Sequence, residues 1–361
     1  MAMAPAAHET FKLGEFTVPR LWVGLWQLSS NAWGTTSVAK IRQAMGRHVD
    51  AGYTAFGPSG NSCPVAKLLI LVDLLCRHAD HYGSAELIFG QFRSTLEVPE
   101  SVLGATKWCV FKPMTVSRET VEEAVRQRLE RMRTARVDLL QFHWQDYANH
   151  DYIGALEVMS QLRDEGLIAN VGLCNFDALR TDEICARFPG LVVSNQVPFS
   201  LIDTRAAWAL ADVCTKHGVK LLTYGTLCGG FLADKWIGHP EPDPYAGSLN
   251  PSQRKYLDMI VKAWGGWALF QDLLVVLHEI GERNNGASVS NVATRWVLDH
   301  AVVGAVLIGA RLGCTEYAAD NLNVYNLALT AEDRAQIEAV LARSAGRRLI
   351  DTIGDCGAEY R

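Results

Sequence analysis

The sequence predicts an α/β fold, a single-domain (β/α)8 TIM barrel spanning 1–361. Three observations lead there. Short apolar runs recur along the chain, separated by amphipathic stretches, which is how a parallel sheet wrapped in helices is written. The first run opens into Gln27-Leu28-Ser29-Ser30, without the glycine-rich phosphate turn that an open doubly wound sheet carries after its first strand. A length of 361 residues, 49% hydrophobic and 20% charged, suits one large barrel core.

In chain order the expected strands are LWVGLW (21–26), YTAF (53–56), VLGATKW (102–108), VDLLQFHW (137–144), ANVGLCNF (169–176), VVSNQVPF (192–199), KLLTYGTL (220–227) and AVLIGA (305–310). Between the third and fourth, Val121, Val125, Leu129 and Met132 recur at helical spacing and set one apolar stripe against the sheet. Ser117 and Thr120 are candidate caps for that helix, and a last helix opens at Thr330-Ala-Glu-Asp, a capping-box-like start. Two stretches break the rhythm. Residues 228–280, rich in Trp, Gly and Pro near their start, form a long rim loop with a helical part, and 57–78 form an insertion after the second strand.

Composition narrows the function. The net charge is −5 with no basic block, so no nucleic-acid partner is expected. The run Val65–Cys76 contains Lys67 and Asp73 and is too short to span a bilayer, so no membrane role is expected. The opening MAMAPAAHETF lacks the charged-then-apolar order of a secretory signal. Nine cysteines form no CxxC pair, which supports neither a metal site nor a disulfide framework. The expected setting is reduced and cytoplasmic.

Barrels of this class place their chemistry where strands end at the C-terminal face. Those ends hold Lys107 on the third strand, His143 on the fourth, Asn175 on the fifth, Gln196 on the sixth and Tyr224 on the seventh, with Tyr82 in ADHYGSAELIFG after the second. Singly, each has a plain reading: a solvated lysine, a packing histidine beside Phe142 and Trp144, a rim tyrosine. Jointly they make a set that reduces a carbonyl. A phenol with a pKa near 10 needs help to donate a proton at neutral pH, and a neighbouring ammonium supplies it. An imidazole that donates to the carbonyl oxygen orients it. Trp26, Trp108, Trp144 and Trp236 make an apolar rim that would suit an apolar substrate.

The stretches VGLWQLS, AGYTAF, ADHYGSAELIFG, GATKW, DLLQFHW, VGLCNF, VSNQVPFSLID, TYGTLCGGFL and VLIGAR…DNL resemble the aldo-keto reductases over nearly the whole length. The resemblance implies an NADP-dependent oxidoreductase acting on a small-molecule aldehyde or ketone. It implies Tyr82 as general acid, Lys107 as its modulator and His143 as the residue orienting the carbonyl. It places the nicotinamide carboxamide on Asn175 and Gln196, with Cys174 where many relatives have serine. Tyr224 stacks on the ring, Gly225 and Leu227 follow in the same cofactor-binding turn, Arg311 meets the 2′-phosphate, and Asp320 and Asn321 lie near the adenine. The stretch GDCGAEYR resembles reductases of secondary-metabolite pathways.

One departure matters. Relatives usually read F-D-x-A-D-x-Y-G, with an aspartate directly after the second strand whose carboxylate fixes the lysine. Here Phe56 is followed by Gly57, Arg77 stands five residues before Tyr82, and Asp80 matches only the second acidic position. Residues 57–78 read either as a genuine flap over the pocket or as retained non-coding sequence. Either way the site lacks its carboxylate, which predicts a weakened catalyst. The alternative function is a catalytically impaired NADP(H)-binding regulatory or interaction subunit.

Overall fold

The computed structural model describes residues 8–28, 36–57, 83–245, 247, 249–315 and 317–361. Tyr82, Asp80, Arg77 and all of the 57–78 stretch except Gly57 lie outside them.

The strands are β1 (Thr10–Leu13), β2 (Phe16–Pro19), β3 (Leu21–Gly24), β4 (Ala55–Gly57), β5 (Leu103–Val110), β6 (Val137–Trp144), β7 (Ile168–Cys174), β8 (Val192–Pro198), β9 (Lys220–Tyr224) and β10 (Val303–Gly309). β3 to β10 form a closed parallel barrel in which each strand pairs with the next and β10 closes on β3. Each of the eight expected runs supplies one barrel strand.

Strand alternation divides the barrel's two sides. On β6, Leu140, Phe142 and Trp144 point outward into the core between sheet and helices, while Leu139 faces the lumen, and Gln141 and His143 follow it at a period of two. On β5, Ala105 faces the lumen, Lys107 shares its side, and Trp108 and Val110 face outward. The lower lumen is apolar, filled by Trp22, Ala55, Leu103, Leu222 and Leu307. The upper lumen is polar.

A hairpin that the sequence reading passed over closes the bottom. β1 and β2 pair antiparallel, with Leu13 opposite Phe16, and Leu13 and Val18 pack into the lumen cluster. The turn at Gly14 has φ +56, and a Cβ there would strike Asn170 Oδ1 at 1.7 Å, so both conformation and space call for glycine.

Helix Arg118–Met132 begins at Ser117, whose hydroxyl accepts from the Thr120 amide, and its inner face is Val121, Val125, Arg128 and Met132. Arg128 rather than the half-buried Leu129 occupies the inner position, because its Nε donates to the Lys107 carbonyl at 2.9 Å. The expected capping box at Thr330 is completed by Asp333. Between β9 and β10, residues 228–280 carry 3₁₀ turns, helix Pro251–Asp258, a π-helical turn at Met259–Trp264 and most of helix Trp267–Arg283. Among the described residues no single helix is long and apolar enough to cross a membrane.

Candidate active site

The polar side chains of the upper lumen converge from neighbouring strands. Lys107, His143, Cys174, Asn175 and Gln196 are all buried, and Tyr224 closes the group at the end of β9. Cys174 pairs in register with Gln196, and the Asn175 amide donates to the Gln196 carbonyl at 2.9 Å. Asn175 is held at φ +59, a conformation asparagine tolerates better than most residues, where β7 turns away.

Burial sets the proton states. His143 is pushed down to about 3, first by burial and then by the charge of Arg361. Lys107 is driven toward the neutral amine by burial, offset in part by the thiols of Cys174 and Cys109; the Cys174 thiol bonds its side chain.

His143 Nδ1 lies 3.0 Å from the Cys174 carbonyl oxygen. A carbonyl only accepts, so Nδ1 carries the proton and, in the neutral ring, Nε2 is left as an acceptor. The expected role, donation to a carbonyl oxygen, calls for a proton at Nε2. In this tautomer Nε2 receives a hydrogen bond, as from a hydroxyl. His143 Nε2, Asn175 Nδ2 and both amide atoms of Gln141 are buried without a hydrogen-bond partner among the described residues.

Alongside this cluster runs a cavity of about 510 Å³. It passes from Tyr224, Gly225 and Leu227 to Arg311, Asp320 and Asn321. Gly225 has φ +72 and abuts Tyr256, whose hydroxyl would lie 2.0 Å from an added Cβ. Arg311 is exposed at the end of β10, and Asp320 accepts from Ser288 Oγ at 3.2 Å and Asn291 Nδ2 at 3.3 Å. Among the described residues no group of His, Cys, Asp or Glu could hold a metal ion.

The tryptophan rim is corrected. Trp108 and Trp144 pack outward in the core, and Trp236 packs on Phe231 and Trp267. Of the four only Trp26 lines the cavity.

Sequence reading noted the segment 354–361 for its likeness to other reductases but did not place it at the site. The Tyr360 phenol lies 2.7 Å from the Tyr224 hydroxyl, accepts from Lys255 Nζ at 3.1 Å and sets its ring edge-on to His143, 6.2 Å between centroids. Arg361 donates to the Asn175 carbonyl and to the Tyr147 hydroxyl, with its guanidinium 3.7 Å above the Tyr147 ring. Glu359 joins a buried ion cluster, in which Arg205 binds Asp203 at 2.8 Å and Glu359 at 3.0 Å. A local signal for its placement was a pair of closely spaced glycines, 354 and 357, ahead of an aromatic residue.

Comparison with known proteins places this geometry. Residues 20–342 match the sequence model of the Aldo/keto reductase family. The aldo-keto reductase YhdN of Bacillus subtilis is 25% identical over 340 residues, covering 89% of each chain. Flagellar radial spoke protein 5 of Chlamydomonas reinhardtii is 28% identical over 300 residues, 71% of this chain but 56% of that one, so this chain spans little more than half of that relative. In structure it is similar to a glycerol dehydrogenase from Gluconobacter oxydans, with TM-score 0.71, 22% identity and coverage of 93% and 96%. It is also similar to an aldo-keto reductase from Klebsiella pneumoniae in complex with NADPH, with TM-score 0.66, 18% identity and coverage of 93% and 95%. These structural likenesses are of fold. The family match over residues 20–342, with a relative aligned over 89% of each chain, makes this chain a member of the aldo/keto reductase family.

Proposed function

We propose that the protein is an NADP-dependent oxidoreductase that reduces an aldehyde or ketone to an alcohol. The observation carrying this reading is the continuity of the 510 Å³ groove with the buried polar cluster, joined at Tyr224. Its size suits a dinucleotide-scale ligand.

The residues present fit the cofactor. Asn175 Nδ2 is a buried donor awaiting an acceptor, which a carboxamide oxygen would provide, with Gln196 beside it. Tyr224 offers a ring at the mouth, and the positive-φ turn at Gly225 and the adjoining Leu227 line the middle of the groove. Arg311 at the far end suits a 2′-phosphate through its guanidinium fork, with Asp320 and Asn321 beside it for the adenosine. When bound, the cofactor supplies the hydride. The NADPH complex of the Klebsiella enzyme supports the choice of nucleotide.

Tyr82, assigned by likeness to the family, donates the proton to the developing alkoxide. Lys107 modulates that phenol, but burial without a carboxylate at residue 57 favours its amine form and weakens the help it gives. His143 Nε2, an acceptor in this tautomer, receives a hydrogen bond from the alcohol product, whereas orienting the carbonyl as the family likeness implies needs its proton on Nε2. A role in secondary metabolism rests on the likeness of GDCGAEYR alone.

Gly57 at the carboxylate position favours a second reading, an NADP(H)-binding regulatory subunit with little turnover. NADPH fluorescence titration followed by turnover on a panel of aldehydes and ketones separates the two. Binding with turnover supports reduction, binding alone supports the second reading, and failure to bind NADPH sinks both.

A further inference from the structure

We infer that Tyr360 is a positioning residue for the nicotinamide: acting through Tyr224, it turns the Asn175 side-chain amide so that Nδ2 is left for the carboxamide oxygen. The inference rests on the cofactor site proposed above.

A run of hydrogen bonds with a single direction leads to that amide. Lys255 has only protons to give, so the Tyr360 oxygen accepts from its Nζ at 3.1 Å. The Tyr360 proton, buried with its ring, meets the Tyr224 oxygen at 2.7 Å. Tyr224 then gives its own proton to Asn175 Oδ1 at 2.9 Å. With the amide reversed, Nδ2 would press a second donor on a Tyr224 oxygen already taken by Tyr360, and the Tyr224 proton would be buried without an acceptor. The order Lys255, Tyr360, Tyr224, Asn175 therefore selects one orientation of the amide.

That orientation is the one the cofactor needs. Asn175 Oδ1 is used, and Nδ2 is buried with no hydrogen-bond partner among the described residues. An ammonium heads the chain and each bond polarises the next, so Nδ2 at its end is a stronger donor than an isolated amide would be. Tyr360 does not line the groove, so it acts on the nicotinamide only through Tyr224 and Asn175.

The segment that carries Tyr360 is held fast. Arg205 donates to the Gly354 carbonyl at 3.0 Å and to Glu359 at 3.0 Å, while Asp355 Oδ2 accepts from the Ala178 amide at 2.8 Å. The same segment grips the Asn175 backbone. Arg361 donates to the Asn175 carbonyl, and Gly357 lies so close that a Cβ there would stand 2.1 Å from that oxygen. Asn175, at φ +59, is thus fixed from one segment at both its backbone and its side chain. A group that must meet its ligand in one orientation needs rigid support of this kind.

The test uses Tyr360→Phe, which keeps the ring beside His143 and removes only the hydroxyl. Affinity is measured for NADPH and for adenosine 2′,5′-bisphosphate, which has no nicotinamide. Tyr360→Phe should weaken NADPH roughly three- to tenfold, the worth of one hydrogen bond, and leave the bisphosphate within about twofold. In an Asn175→Ala background the same substitution should change NADPH affinity by less than about twofold, because Tyr360 then has no amide to orient. A purely structural role would move both ligands alike in both backgrounds. Unchanged NADPH affinity in Tyr360→Phe, equal losses for the two ligands, or an undiminished loss in the Asn175→Ala background overturns the inference while the reductase reading stands. If Tyr360→Phe does not melt cooperatively, Lys255→Met, which cuts the chain at its head, is read by the same comparisons. Failure of the wild type to bind NADPH overturns both.

Discussion

Gly57 faces Ala105 inside the barrel: a Cβ built on Gly57 would stand 3.5 Å from the Ala105 Cβ, with Trp22 at 3.6 Å and Leu307 at 3.7 Å. These are ordinary contact distances, so the position accepts a side chain. Ala105 and Lys107 share the lumen side of β5, two residues apart, so a carboxylate grown from residue 57 enters the lumen next to the layer of Lys107. Gly57→Asp should therefore hold Lys107 as an ammonium and lower the pKa of the proton-donating phenol. Reduction needs the phenol protonated. The alkaline limb of the kcat/KM profile should thus move down by about one pH unit while kcat rises several-fold. An unmoved limb with unchanged kcat would contradict this account of the site.

Neutral, buried His143 ties stability to pH. Its folded pKa of about 3 lies below the ordinary 6.5, so the unfolded chain binds the extra proton between those values. Stability from this group is therefore full above pH 6.5 and falls as the pH drops toward 3. From pH 7 to pH 5 the loss is about 2 kcal/mol. His143→Gln should lack that increment, so urea unfolding midpoints of wild type and variant should converge on acidification. Parallel pH dependence of the two would mean that the imidazole is not held neutral.

Arg205 sits almost fully buried between Asp203 and Glu359. Glu359 is itself buried, which would raise its carboxyl, yet Arg205 and Lys255 hold it below the usual range. Arg205→Met leaves two buried carboxylates without their cation, a cost of about 3–5 kcal/mol. Chemical denaturation reads this directly, and a loss under about 1 kcal/mol would show that the cluster is wetter than its burial implies.

The barrel was legible because its strands are short, branched-apolar and regularly spaced, a pattern that survives without knowledge of partners. Lys107 and His143 were legible for the same reason: once their strands are placed, alternation turns them inward near the rim. The hairpin at Thr10–Pro19 was not, since TFKL and FTVP alternate too weakly to separate from a loop and gain their meaning only by plugging the lumen. Arg128 hid within an apolar stripe because its burial depends on the Lys107 carbonyl, 21 residues away. Tyr360 meets Tyr224 across 136 residues, a contact no local pattern announces. The donor polarity of His143 likewise needed the Cys174 carbonyl in view.

Arg311 tests the cofactor's identity. It lines the groove at the end opposite Tyr224, on the turn where it also forms an isolated bridge with Thr315. In the proposed pose its guanidinium meets the 2′-phosphate that distinguishes NADPH from NADH. Hydrogen bonds to a charged group contribute about 1.5–3 kcal/mol, so Arg311→Ala should weaken NADPH binding roughly ten- to a hundredfold. NADH lacks that phosphate, so its affinity should stay within about twofold, and the contrast removes any general disturbance of the groove from the comparison. Rising salt should weaken NADPH binding to the wild type more than to the variant, because the pair it screens is missing there. Equal losses for both nucleotides would move the phosphate contact away from Arg311.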